Sequence, residues 1–171
     1  RDISCREIQF DARRLAKALA ASGVSKGMRV AVHMANRPEF AIASFAIAML
    51  GAVMVPVNTF ATPDEREYIL RHGDSALLLF QCSLLKRNFL DELLCMLPEL
   101  QANNNGALHS TRVPHLRQVV ALGLAQTHGK VQAWESFLAR GDDFPDDLLN
   151  AMIAEVVPAD ELLGAARAKA D

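Results

Sequence analysis

A chain of 171 residues has the length of one domain, or of one domain with a tail. With 51% apolar and 22% charged residues it is not a disordered chain, a collagen-like chain or a small disulfide scaffold. Its formal net charge of −2 supplies no global basic field for nucleic acid, and the lack of a methionine at Arg1 points to a piece of something longer.

The first element starts clearly. Ser4 and Glu7 have the spacing of a capping box, in which each side chain satisfies a free backbone N–H of the first turn. Ile8, Ala12, Leu15 and Leu19 then recur at helical spacing, and Gly23 stops the helix. Residues 29–34 (R-V-A-V-H-M) read as a β-strand. Pro38 suits a first helical position and Glu39 the positive end of the helix dipole, which predicts a helix over 38–50 closed by Gly51. A strand over 52–57 follows, with Pro56 at its end or on its unpaired side, because proline cannot donate to a ladder. Thr62, Pro63 and Glu65 repeat the capping logic for a helix that stops at Gly73. Residues 76–80 (A-L-L-L-F) form a third strand.

Ser83 is expected to open a further helix carrying Leu90, Leu93, Leu94 and Leu97, broken by Pro98. Residues 101–114 are the least structured, with turn chemistry in Asn103-Asn104-Asn105-Gly106. Residues 116–122 read as a fourth strand, 134–138 as a short helix ending at Gly141, and 147–156 as another helix. Short apolar strands alternating with amphipathic helices imply an α/β fold in three layers, a mostly parallel sheet flanked by helices on both faces. Residues 1–141 form this subdomain. Residues 142–171 read as an acidic helical tail, because they carry a net charge of −6 against +4 for residues 1–60.

Residues 40–57 contain no charge, but Gly51 and Pro56 interrupt them, so a buried helix and strand are expected and no transmembrane segment. Cys5, Cys82 and Cys95 lack any C-x-x-C spacing and read as buried small hydrophobes in a reducing, cytoplasmic compartment. The histidines lack the i, i+4 partner of a helical metal site, so no metal is expected. His33 reads as a packed, hydrogen-bonded core or rim residue in preference to a catalytic base. Asp64-Glu65 and Asp91-Glu92 read as surface charge. No G-x-G-x-x-G, G-x-x-x-x-G-K-[ST] or G-x-S-x-G motif is present. Asn36, Arg37 and Asn58 follow the C-terminal ends of predicted parallel strands, where ligands of open α/β sheets bind. They are candidate crevice residues, although Asn36 as a helix cap and Asn58 as a turn former would be ordinary roles.

Several segments together resemble a known family. They are 12–40 (A-R-R-L-A-K-A-L-A-A-S-G-V-S-K-G-M-R-V-A-V-H-M-A-N-R-P-E-F), 50–59 (L-G-A-V-M-V-P-V-N-T) and 62–79 (T-P-D-E-R-E-Y-I-L-R-H-G-D-S-A-L-L-L), with weaker continuations at 113–123 and 134–141. Taken in order, they resemble the N-terminal subdomain of adenylate-forming enzymes, the AMP-dependent synthetase and acyl-CoA ligase family. The stretch 89–100 looks most like fatty-acyl-CoA synthetases. The resemblance implies an ATP-dependent ligase that turns a small-molecule carboxylic acid into an acyl-adenylate and then an acyl thioester. ATP, magnesium and coenzyme A are implied for the complete enzyme, with none held tightly by this chain. The family's Ser/Thr/Gly-rich phosphate loop is expected soon after residues 156–160 (V-V-P-A-D), where the sequence instead reads E-L-L-G-A-A-R-A-K-A-D to its end. The chain therefore carries no matched catalytic residue, is expected to be inactive alone, and would partner the missing remainder of the enzyme. The alternative is a non-catalytic binding or oligomerisation module on the same fold, in which a homodimer covers exposed apolar surface.

Overall fold

The computed structural model describes residues 4–102 and 107–156. The expected turn at 103–106 and the segment after Val156 lie outside them. Helix α1 (Cys5–Ala21) opens on the capping box of Ser4 and Glu7, and Gly23 follows it at φ +91°, a left-handed conformation that glycine adopts without strain. Strand β1 (Arg29–His33), helix α2 (Pro38–Met49) and strand β2 (Val53–Pro56) come next. Helix α3 (Pro63–His72) has the second capping box, Thr62 with Glu65, and leads to β3 (Leu77–Gln81).

The chain then departs from the expected pattern. Ser83 does not open a helix. A small antiparallel hairpin, β4 (Ser83–Leu84) and β5 (Arg87–Asn88), comes first, and α4 (Phe89–Met96) starts behind Asn88, whose side chain accepts from the amides of Leu90 and Asp91. Two residues per strand are too few to show alternation, and the turn uses Leu85 at φ +54° where glycine would have marked it. Strand β6 (Gln118–Leu122) is as expected, but β7 (Val131–Ala133) adds a fifth strand directly before α5 (Trp134–Leu138). Helix α6 (Asp146–Ala154) closes the described chain.

The five strands β2-β1-β3-β6-β7 form one sheet in that order, every pair parallel. Pro56 ends the edge strand β2, where its missing N–H costs nothing. Alternate side chains feed two cores. Val30, Val32, Leu77, Leu79 and Val120 face α1, α2, α5 and α6. Ala31, Leu78, Phe80, Val119 and Ala121 face α3 and α4. This is the three-layer architecture expected from the sequence. Leu15 and Leu19 of α1 are fully buried, each stabilising the fold by about 1.5–3 kcal/mol. Within residues 142–156, Leu149 is buried in the same core, and Asp146 pairs with Arg13 and Lys17 of α1.

Cys5 and Cys95 are exposed and Cys82 is half-buried, against the expectation of buried thiols. Cys95 lies on the outer side of α4, whose inward side is taken by Leu93 and Met96. All three are free, and among the described residues no helix is long and apolar enough to cross a membrane.

Gly141 is buried against α1. A Cβ there would stand 2.6 Å from the backbone nitrogen of Ala18 and 2.9 Å from Cβ of Lys17. Gly141→Ala is therefore expected to lower stability by about 1–3 kcal/mol in urea denaturation, because helix backbone cannot yield as a side chain can. An unchanged midpoint would show that this approach is not tight.

Candidate functional site

The parallel strands all end on one edge, and the loops that leave them build the candidate site. The buried Gln81, last residue of β3, ties two of these loops together. Its Oε1 accepts from the Ala35 amide at 2.7 Å, and its Nε2 donates to the Ser83 carbonyl at 2.8 Å. Val57 continues the line of β2 by donating its N–H to the Val32 carbonyl at 2.9 Å. The chain then turns at Asn58, whose Oδ1 accepts from the Phe60 amide at 2.9 Å.

Of the three sequence candidates, the structure brings two together. Asn36 and Asn58 line one open groove of about 570 Å³, with Met34, Phe40, Pro56 and Phe60 among its apolar walls. Arg37 stands apart from it, with its guanidinium on Glu39 at 2.7 Å. Asn36 does not cap α2. Arg37 occupies the cap position, without any side-chain capping bond, because Pro38 already removes one of the free N–H groups.

Behind the Asn58 loop lies a polar cluster that sequence spacing did not show. Glu92, on α4, accepts from Arg66 of α3 and from Arg87 of β5, the latter through Nε at 3.0 Å and Nη2 at 2.7 Å. Arg87 also donates to the carbonyls of Thr59 and Ala61 at 2.9 and 3.0 Å, clamping the loop. The buried Phe89 ring has Arg87 Cζ 5.0 Å and Arg66 Cζ 5.7 Å from its centre, and the His33 ring 4.4 Å away. Glu92 was expected to be surface charge. It is half-buried, because its two partners arrive from 26 and 5 residues away. The one local signal was Arg66 itself, an arginine four residues before the buried Leu70 on the inner side of α3.

The electrostatics follow from burial. Hydrogen bonds from Arg87, helped by the charge of Arg66, hold the Glu92 carboxyl below the usual carboxylate range. His33 is only 3% exposed, so desolvation, reinforced by the charges of Arg66 and Arg87, lowers it from 6.5 to about 4. It is the packed histidine expected from its place on β1 and is neutral at physiological pH, but its buried Nε2 has no hydrogen-bond partner among the described residues.

The residues present do not fit a magnesium–triphosphate group. Among the described residues no group of three His, Cys, Asp or Glu side chains could hold a metal. The groove is lined without any cationic side chain, and Arg87 is engaged by Glu92 and two carbonyls. What the arrangement offers is an apolar trough with two exposed amide side chains at its rim, suited to orienting a small molecule through hydrogen bonds.

Comparison with known proteins gives these loops a context. The model of the AMP-binding enzyme family matches residues 1–153. A Bacillus subtilis (strain 168) protein named "Putative acyl-CoA synthetase YngI" is 35% identical over 131 residues, 75% of this chain and 24% of that protein. A crotonobetaine/carnitine–CoA ligase of Shigella flexneri serotype 5b (strain 8401) is 37% identical over 73 residues, 43% of this chain and 14% of the ligase. The crystal structure of coronafacic acid ligase from Pectobacterium brasiliense superposes with a TM-score of 0.66 at 20% identity, over 85% of this chain and 26% of that one. The last likeness speaks for the fold alone. The chain thus spans about a quarter or less of the length of these relatives.

Two outcomes follow from the cluster. Glu92→Gln leaves the buried Arg66 without its counter-charge and should cost about 3 kcal/mol in urea denaturation; a loss below ~0.5 kcal/mol, the size of a surface pair, would contradict it. Acidification should also weaken the fold. Between pH 6.5 and about 4 an unfolded His33 takes a proton that the folded one refuses, so stability falls as pH falls. The loss should be about 2 kcal/mol between pH 7 and pH 5, and His33→Gln should lack that part of the slope. An equally steep slope in the variant would assign the effect to other groups.

Proposed function

The chain belongs to the AMP-binding enzyme family, and on that premise we propose that its polypeptide is an ATP-dependent carboxylic acid–CoA ligase. The reaction has two steps. The acid's carboxylate attacks the α-phosphate of ATP, forming the acyl-adenylate and expelling pyrophosphate. The coenzyme A thiol then attacks the acyl carbon, forming the thioester and releasing AMP. The observation that carries this reading is the family match over residues 1–153, supported by a relative named as an acyl-CoA synthetase over 75% of the chain. A fatty acid is our choice of substrate, which rests on the stretch 89–100 and on the apolar walls of the groove.

In this reading residues 1–141 are the scaffold subdomain. Asn36 and Asn58 form one wall of the crevice that receives the acid or the thiol. ATP and magnesium engage other parts of the polypeptide, since the described residues offer no metal cluster and the groove of Asn36 and Asn58 has no cationic side chain. Three free cysteines suit a cytoplasmic enzyme. The alternative of a non-catalytic binding or oligomerisation module has less behind it, because the two relatives described above carry the names of an acyl-CoA synthetase and a CoA ligase.

The test compares two proteins. The 171-residue chain alone should release no pyrophosphate from ATP with fatty, branched or aryl acids. The product of its gene, read with any coding sequence adjoining it, should release pyrophosphate and consume coenzyme A thiol with at least one of them. Activity in the short chain, or none in the gene product, would contradict the proposal. In an active protein, Asn58→Ala should raise KM for acid or CoA about fivefold, the worth of one hydrogen bond, with kcat little changed.

A further inference from the structure

Beneath the loop that carries Asn58 is a small, partly open cavity of about 10 Å³, lined by His33 and Arg66 and by apolar side chains including Val57, Leu78, Phe80 and Phe89. Both polar residues are 3% exposed. Each also carries a buried nitrogen without a hydrogen-bond partner among the described residues, Nε2 of His33 and Nε of Arg66. Buried polar atoms left alone bear the full cost of desolvation, so a fold that tolerates two of them beside one cavity calls for a shared partner.

The chemistry of the two atoms selects that partner. The backbone of Asn58 hydrogen-bonds the His33 ring, and Nε2 is the ring nitrogen left over. A neutral ring with its proton on Nδ1, on the side of the Asn58 carbonyl, presents a lone pair at Nε2. Arg66 Nε presents an N–H. One acceptor and one donor must be satisfied from a space about the size of a single water. A water oxygen accepts from Arg66 while its O–H donates to His33. A halide would satisfy Arg66 but face the lone pair of His33. A metal cation would satisfy His33 but face the guanidinium.

We propose that His33 Nε2 and Arg66 Nε hold one buried water between them, and that this water makes His33 a positioning residue for Asn58. By donating to Nε2 the water fixes the ring in its Nδ1–H tautomer, and Nδ1–H fixes the Asn58 carbonyl at the start of the loop that lines the groove. The proposal rests on the cavity and its unpartnered atoms, and it stands or falls separately from the ligase reading.

The test is spectroscopic and uses the unmutated polypeptide. Nitrogen-15 spectra of the imidazoles at pH 7 should show His33 as the Nδ1–H tautomer, the less common form of a neutral histidine. Its ring protons should show cross-relaxation with a long-lived water. A merely space-filling histidine would show neither signature. In parallel, crystals grown in sodium bromide should show a water-sized peak in the cavity without anomalous scattering. An Nε2–H tautomer, a protonated ring, an empty cavity or an anomalous bromide peak would each overturn the proposal.

Discussion

Glu92 accepts hydrogen bonds from two arginines that reach it from different parts of the chain, Arg66 on α3 and Arg87 on β5, and the candidate groove depends on that meeting. Arg87 carries the effect outward, because the same guanidinium holds the carbonyls of Thr59 and Ala61. Arg66 carries it inward, to the Phe89 ring and the cavity beside His33. One carboxylate thus joins α3, the hairpin, α4 and the loop after β2. Buried charges are expensive to desolvate, so they stabilise only where each has a partner. Here two positive groups share one negative one, and aromatic and carbonyl contacts supply the rest.

The sheet explains why this cluster stands where it does. Five parallel strands with helices on both faces leave their C-terminal ends as the open edge, the usual place for ligands in such folds. Gln81 links the loops after β1 and β3 from below, and Arg87 fixes the loop after β2 from the side. Ala35, held by Gln81, and Thr59, held by Arg87, both line the groove of Asn36 and Asn58. Its exposed side chains can recognise a ligand only to the extent that the backbone beneath them is held.

Much of this was legible from the sequence because it is local. Both capping boxes, Ser4 with Glu7 and Thr62 with Glu65, lie within one turn of helix, and both are present. The apolar strands and their helical crossovers fixed the layer order. The hairpin and β7 were missed because two or three residues carry no periodicity and Leu85 replaces the expected turn glycine. The cluster was missed for another reason. Arg66 and Glu92 are 26 residues apart, so nothing in spacing pairs them until the sheet brings α3 beside α4. The pairing of Asn36 with Asn58 was half-legible, since both follow strand ends, but only the adjacency of β1 and β2 places them on one groove.

Arg87, anchored on Glu92, holds the groove-forming loop in place, whereas the rest of the fold leans on the buried Arg66–Glu92 pair and not on Arg87. Amide hydrogen exchange on Arg87→Met against the unmutated protein separates the two roles. The Phe60 and Ala61 amides, bonded to Asn58, should exchange roughly tenfold faster or more in the variant, while amides of β1, β3 and α1 keep their protection. Equal protection at Phe60 and Ala61 in the two proteins, or a uniform loss of protection across the sheet, would contradict it.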